Sequence, residues 1–325
     1  MCFSMRIVKI LFAVLLLALT SCSGAETISE DIFENVTQEQ VNDSIPVIRR
    51  NVLIIGNSAS RDAFSYVPFL YQEAGEVFQL NMVILYKGSE SLSGHYNRIT
   101  SNNSTYTVDY CHTATDSAWK TYENRPASEV LPALNWNLII LQDTWTASKV
   151  YDTVSNNIHR IKTYIADSIG VFPIAYMIVP PNPKAIIEED LDTQWSQFAT
   201  VAKNLLENGE VDYVIPCGTA IQNALHTSLK NLGDYNYLSY EGKHLQEGLP
   251  CLIEAYTATQ SLFRFWGMDI SIENSSLCIT QEWVYNKSIP GRHGKVITGG
   301  EEDYELCKRC ALAAVADPYL VTLFE

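Results

Sequence analysis

The chain has 325 residues, is 47% hydrophobic and 18% charged, and carries near-average Gly and Pro; that excludes disordered, collagen-like and coiled-coil proteins and supplies enough apolar residues for a large core. Asp and Glu number 37 against 22 Lys and Arg, a net charge of −15 with pI ≈ 4.8. Without a basic run to offset it, such a surface repels phosphate backbones, so nucleic acid is not an expected partner.

Arg6 and Lys9 precede a short apolar run from Ile10 to Leu19, followed by Leu19-Thr20-Ser21-Cys22. The run is too short to span about 30 Å of hydrocarbon and reads as a signal sequence over residues 1–21. Its ending resembles a bacterial lipobox, which would make Cys22 a lipidation site and the protein an exported lipoprotein on the outer-membrane or periplasmic side. The alternative is an ordinary secretory signal with an incidental Cys. Residues 22–48 are polar and suit a tether. No later run is apolar enough to span a membrane, so the lipid is the expected membrane contact.

Past residue 48 strand-like and helix-like segments alternate. Short apolar runs at Asn51–Ile55, Phe78–Tyr86, Leu138–Leu141, Phe172–Val179 and Tyr213–Ile215 read as buried strands. Helical spacing runs over Asp62–Ala74, Val154–Ile169, Gln194–Glu207, Thr219–Leu229 and Leu245–Phe265. Five repeats of this pattern predict a three-layer α/β/α sandwich with a parallel sheet over residues 49–325. The stretch of about 271–300 fits the pattern poorly and reads as an extension packed on the core. In such sheets chemistry sits on loops at the carboxyl ends of strands, here the loops after Ile55, Tyr86, Leu141 and Ile215.

Six Cys remain after Cys2 and Cys22, too few for a disulfide scaffold. Cys307-x-x-Cys310 has no second CxxC or His pair, so no metal is expected there; a disulfide or buried thiols fit better. No cofactor motif occurs: G-x-G-x-x-G and the Walker Lys are both missing.

The first predicted strand runs into Gly56-Asn57-Ser58-Ala59-Ser60, just before a helix. A Ser there is either a helix cap or a nucleophile exposed on a tight turn. A serine nucleophile needs a base, because its own pKa leaves almost no alkoxide at pH 7. Tyr240-Glu241-Gly242-Lys243-His244-Leu245 offers one: Glu241, three residues before His244, would orient the imidazole. His95 falls on a helical stretch and reads as structural or cleft-lining. His112, His159, His226 and His293 lack partner spacing and read as surface or satisfied core. Tyr86 and Trp145 flank the loops, suited to stacking on a sugar or to packing.

Gly56-Asn57-Ser58 with Glu241-x-x-His244, in that order, resembles the SGNH (GDSL-like) hydrolase superfamily. The likeness is greatest to a branch catalogued as a domain of unknown function, through Ile55 to Ala63, through Gly88-Ser89-Glu90-Ser91-Leu92 with His95, and through Pro216 to Gln222. It covers roughly residues 50–265. The resemblance implies Ser58 as nucleophile, His244 as base, and Ser58 and Gly88 as backbone donors of an oxyanion hole. The superfamily's Gly-x-Asn block is replaced by Leu141-Gln142-Asp143, so Gln142 would supply the third donor; loss of one donor lowers rate about 10²–10³-fold. Glu241 stands where the superfamily has Asp, and Asp234 is the alternative orienter. The implied activity is a serine esterase removing an acyl, for instance acetyl, group from a carbohydrate. The rival is an SGNH-like glycan-binding lipoprotein with a weak or inactive site. Oligomeric state, substrate and disulfide pairing have no sequence signal.

Overall fold

Residues 47–102, 105–185 and 189–324 are described in a computed structural model, within the compact unit Asp43–Glu325. The signal segment, Cys22 and nearly all of the expected tether lie outside them. Strand β1 (Ile48–Gly56) is the sheet's centre, and its half from Val52 on is wholly buried. It pairs in parallel with β2 (Phe78–Tyr86) on one side and β5 (Leu138–Leu141) on the other. The sheet has seven strands in the order β4-β3-β2-β1-β5-β6-β7, with β6 (Ile174–Met177) and β7 (Tyr213–Ile215) also parallel. The α/β sandwich is therefore as expected, with one addition. Beyond β2 lies an antiparallel edge made of β3 (Tyr106–His112) and β4 (Lys120–Arg125). Strand β4 alternates half-buried and exposed residues, so it shows none of the continuous apolar run that marks a strand buried on both faces.

Helices cover both faces. Helix α1 (Ser58–Phe64) and α2 (Val67–Gln72) occupy the stretch expected to be one helix. The break fits Pro68, whose ring cannot continue a helix but is tolerated in a first turn. Helices α3 (Leu92–Thr100), α5 (Tyr151–Ser168) and α6 (Leu191–Glu207), with the short α4 (Ala127–Val130), follow in the chain. Helix α7 (Cys217–Leu225) starts immediately after β7. A two-stranded hairpin, β8 (Ser239–Tyr240) and β9 (His244–Leu245), leads into α8 (Leu249–Phe265). Helix α8 is buried nearly all round because α1, α2, α7 and α10 (Glu301–Ala316) pack on it. Apolar residues on every face are what such a position requires.

The stretch expected as an extension contains α9 (Gln281–Asn286). Trp283 meets Tyr66 and Phe69 edge-on, and Ile279, Val284, Ile289 and Val296 are buried. A backbone bridge joins Ile297 to Gly248. All six described cysteines are free thiols, five of them buried, including Cys307 and Cys310. Among the described residues no helix is long and apolar enough to cross a membrane.

Candidate functional site

In the sheet order β1 is flanked by β2 and β5, so the connections leaving these strands run to opposite sides and a crevice opens at their carboxyl ends. Gly56 ends β1 there. A Cβ on it would run into Ser60 Oγ and lie 2.7 Å from Gln142 Oε1, which is why this position has no side chain. Asn57 caps α1 by accepting from the Ala59 N–H at 3.1 Å. Its Nδ2 donates to the Glu90 carbonyl at 3.0 Å, and Lys87 N–H donates to the Gly56 carbonyl at 3.1 Å. The turn that carries Ser58 and the loop that carries Gly88 are thus stitched together.

Ser58 is the first residue of α1 and half-buried, and its hydroxyl makes no hydrogen bond among the described residues. Its N–H belongs to the first helical turn, whose donors have no partner within the helix. Gly88 is exposed, and no described group accepts its N–H. Both donors expected for an oxyanion hole are therefore unspent. Gln142 is different. It is buried, its Oε1 accepts from Asn57 N–H at 2.9 Å and from Ser60 Oγ at 3.0 Å, and its Nε2 turns to the Asp143 carbonyl. The side chain expected to be a third donor acts here as a brace beneath the turn.

The Tyr240–Leu245 segment, expected just ahead of a helix, forms the β8–β9 hairpin. Glu241 and Gly242 take φ of +54° and +73°, and Lys243 N–H closes the turn on the Tyr240 carbonyl. Positive φ at both central residues is the type I′ hairpin pattern. Glu241 therefore sits at an exposed tip beside the Tyr240 hydroxyl, where its charge raises that phenol's pKa. Asp234 is exposed on the loop before β8.

The carboxylate against His244 is that of Asp62. Its Oδ2 lies 3.6 Å from His244 Nδ1 and also accepts the Leu245 N–H at 3.3 Å. Asp62 is four residues after Ser58 on α1, and residues four apart share a helix face, so Ser58, Asp62 and His244 address one side of α1. The signal was present in the opening block, which includes Asp62. His293 also enters, where sequence spacing gave it no partner. Its Nε2 lies 3.5 Å from Asp62 Oδ1, and its ring stacks on His244 with centroids 4.0 Å apart and 15° between planes. Burial lowers its pKa. No local motif signals this contact, because it arrives from a distant loop.

Behind Asp62, Glu247 is buried, hydrogen-bonded by the Tyr66 hydroxyl, and its carboxyl is raised to about 8 by burial and by the Asp62 charge. Arg61 pairs with Asp109 at 2.8 Å and lies 3.5 Å over the Tyr86 ring. Trp145 sits half-buried beside Lys149. His95 is fully buried and stacked on Tyr106.

Residues 51–276 match the family described as Domain of unknown function (DUF4886). The chain belongs to the DUF4886 family. A crystal structure of a DUF4886 family protein from Bacteroides uniformis superposes with a TM-score of 0.70 at 18% identity, covering 85% of this chain and 98% of that one; it shows that the α/β fold is the family's. A protein from Slackia heliotrinireducens provisionally assigned as an SGNH hydrolase gives a TM-score of 0.45 at 13% identity, covering 66% of this chain and 100% of its own. A GDSL-like lipase from Bacteroides thetaiotaomicron gives 0.37 at 10% identity, over 66% and 87%. No curated protein matches the chain.

Proposed function

We propose that this DUF4886 protein is a serine esterase of the SGNH type, with Ser58 as nucleophile, His244 as base and Asp62 as the group that orients and charges the base. The observation that supports it is the Asp62–His244 contact on the face of α1 that begins with Ser58. Asp62 on Nδ1 leaves His244 Nε2 to take the Ser58 proton. Ser58 then attacks the ester carbonyl, and the N–H groups of Ser58 and Gly88 receive the developing oxyanion. His244 returns the proton to the leaving alcohol, and a water activated in the same way releases the acid from the acyl-enzyme. The serine and histidine are not hydrogen-bonded in this state, and such contacts commonly close only around substrate.

The substrate we propose is an acylated, for instance acetylated, carbohydrate, met outside the cytoplasm by a lipid-tethered enzyme; the signal sequence and Cys22 support that setting. The test is hydrolysis of p-nitrophenyl acetate and labelling by a fluorophosphonate, comparing wild type with Ser58→Ala and His244→Ala. Loss of both signals in both variants supports the triad, and equal turnover in all three proteins ends it. The glycan-binding alternative draws on one observation, the Gln142 amide turned away to Asp143. It predicts glycan binding without labelling.

A further inference from the structure

Asp62 Oδ1 and His293 Nε2 are both buried, and neither has a hydrogen-bond partner among the described residues. They face each other at 3.5 Å. Two buried polar groups left unpaired are costly unless they satisfy one another, and a small closure makes this pair an N–H···O bond. The same imidazole lies on the His244 ring, with Tyr240, the cross-strand neighbour of His244, stacked on it at 6.2 Å. The loop bearing His293 is pinned on either side. Glu247 N–H donates to the His293 carbonyl at 3.1 Å, Ile297 N–H donates to the Glu247 carbonyl at 2.8 Å, and Leu249 N–H donates to the Ile297 carbonyl at 3.0 Å.

Asp62, His244 and His293 could also be taken for a cation site, since one ligand atom of each lies within 4.8 Å of the others. The ring planes decide against it. A metal binds an imidazole nitrogen along its lone pair, in the plane of the ring. Rings stacked 4.0 Å apart at 15° have planes that meet only far outside the site, so no single ion lies in both.

We propose that His293 is a positioning residue: its Nε2–H holds Asp62 Oδ1 while its ring backs the His244 ring, so that the other Asp62 oxygen stays on His244 Nδ1. The proposal rests on the serine-esterase reading for its catalytic meaning. It makes the segment after residue 276, where the family match ends, a contributor to the site. The groups facing His293 are Arg61 and Asp62 from α1, Glu241 and His244 from the hairpin, and its sequence neighbour Arg292, which acts on Glu247. Loss of the second donor leaves the whole Asp62 charge to His244, which favours the imidazolium.

The experiment compares His293→Ala, His293→Gln and wild type in kcat, KM and pH profile. His293→Ala should lower kcat about tenfold or more, the usual scale for a hydrogen bond to a charged group, with KM within about twofold, and should move the acid limb of kcat/KM to higher pH. His293→Gln keeps a donor and should recover most of the loss. Variants equal to wild type, a drop confined to KM, or Gln no better than Ala overturns the proposal. A second arm follows the ring resonances of His244 by NMR against pH, assigned with His244→Ala. A His244 midpoint raised in His293→Ala supports the clasp and an unmoved one refutes it, whether or not the protein turns over ester. Wild type that neither hydrolyses nor labels ends the esterase reading alone.

Discussion

Asp62→Asn is the substitution that most directly tests how the site works. It keeps the shape of the side chain and an oxygen for the Leu245 N–H, and it removes the charge opposite His244. In the proposed first step His244 becomes an imidazolium 3.6 Å from Asp62 Oδ2. At an effective dielectric near 20, unit charges at that separation attract by about 4.6 kcal/mol. The attraction exists only once the imidazole is charged, so it belongs to the transition state and not to the bound ester. Its loss corresponds to about 10³ in kcat. An Asn can also present its amide to Nδ1 and stabilise the wrong tautomer, which adds to the loss.

The assay is p-nitrophenyl acetate hydrolysis under saturating conditions, with a thermal melt to confirm the fold. Glu241→Gln is the matched control, because the same change of charge at the exposed hairpin tip should leave kcat within about twofold. If Asp62→Asn retains more than a tenth of wild-type kcat, or if Glu241→Gln falls as far, Asp62 is not the orienting carboxylate.

Gly56→Ala should lower both stability and activity, because its methyl would meet Ser60 Oγ and Gln142 Oε1; a melt unchanged within about 1 °C would contradict this. Gln142→Ala leaves the buried Asn57 N–H and Ser60 hydroxyl without their acceptor and should destabilise by about 2 kcal/mol, read by urea unfolding. Glu247→Gln keeps an acceptor for Tyr66 while removing a carboxyl whose folded pKa is raised to about 8 from 4.5. A raised folded pKa means the native state holds the proton longer, so the stability it lends is full below about 4.5 and is lost as pH rises towards 8. Wild type should therefore lose stability across that window, and the variant should show a flatter curve when melted at pH 5, 6.5 and 8.

The parallel strands were legible because each holds an unbroken apolar stretch, such as Val52–Ile55, Met82–Tyr86 and Leu138–Leu141. The antiparallel edge was not, since Lys120–Arg125 carries Lys, Glu and Arg on a half-exposed surface. The serine turn could be read for a similar reason: its features are local, a close approach at Gly56, a cap at Asn57 and a half-buried Ser58 at the helix start. Glu241-x-x-His244 misled because three residues mean adjacency on a helix but opposite ends of a turn on a hairpin. Glu241-Gly242 is itself a hairpin signal, a small residue able to take φ > 0 after a polar one. Asp62 was in plain view, one helical turn from Ser58. His293 was illegible in principle, as its contacts depend on how a loop some fifty residues beyond the hairpin folds back across Glu247.

Three carboxylates crowd this corner, and their surroundings assign them different work. Glu254 is wholly buried, neither oxygen has a hydrogen-bond partner among the described residues, and burial raises its carboxyl well above the ordinary range. Glu247 has the Tyr66 hydroxyl and is raised to about 8. In both, the Asp62 charge adds to the shift. Asp62 has the Leu245 N–H and two imidazoles around it. Burial that keeps the protons on Glu247 and Glu254 adds no second negative charge beside the carboxylate that faces the proposed base. The neutral pair behind Asp62 leaves its charge with His244 and His293 as its nearest counterparts. An ionised Glu247 would add a second negative charge beside it and hold the imidazolium too tightly to give the proton back. The pH at which Glu247 ionises should then appear as a fall in kcat on the alkaline side, and that fall should vanish in Glu247→Gln while the acid limb set by His244 remains.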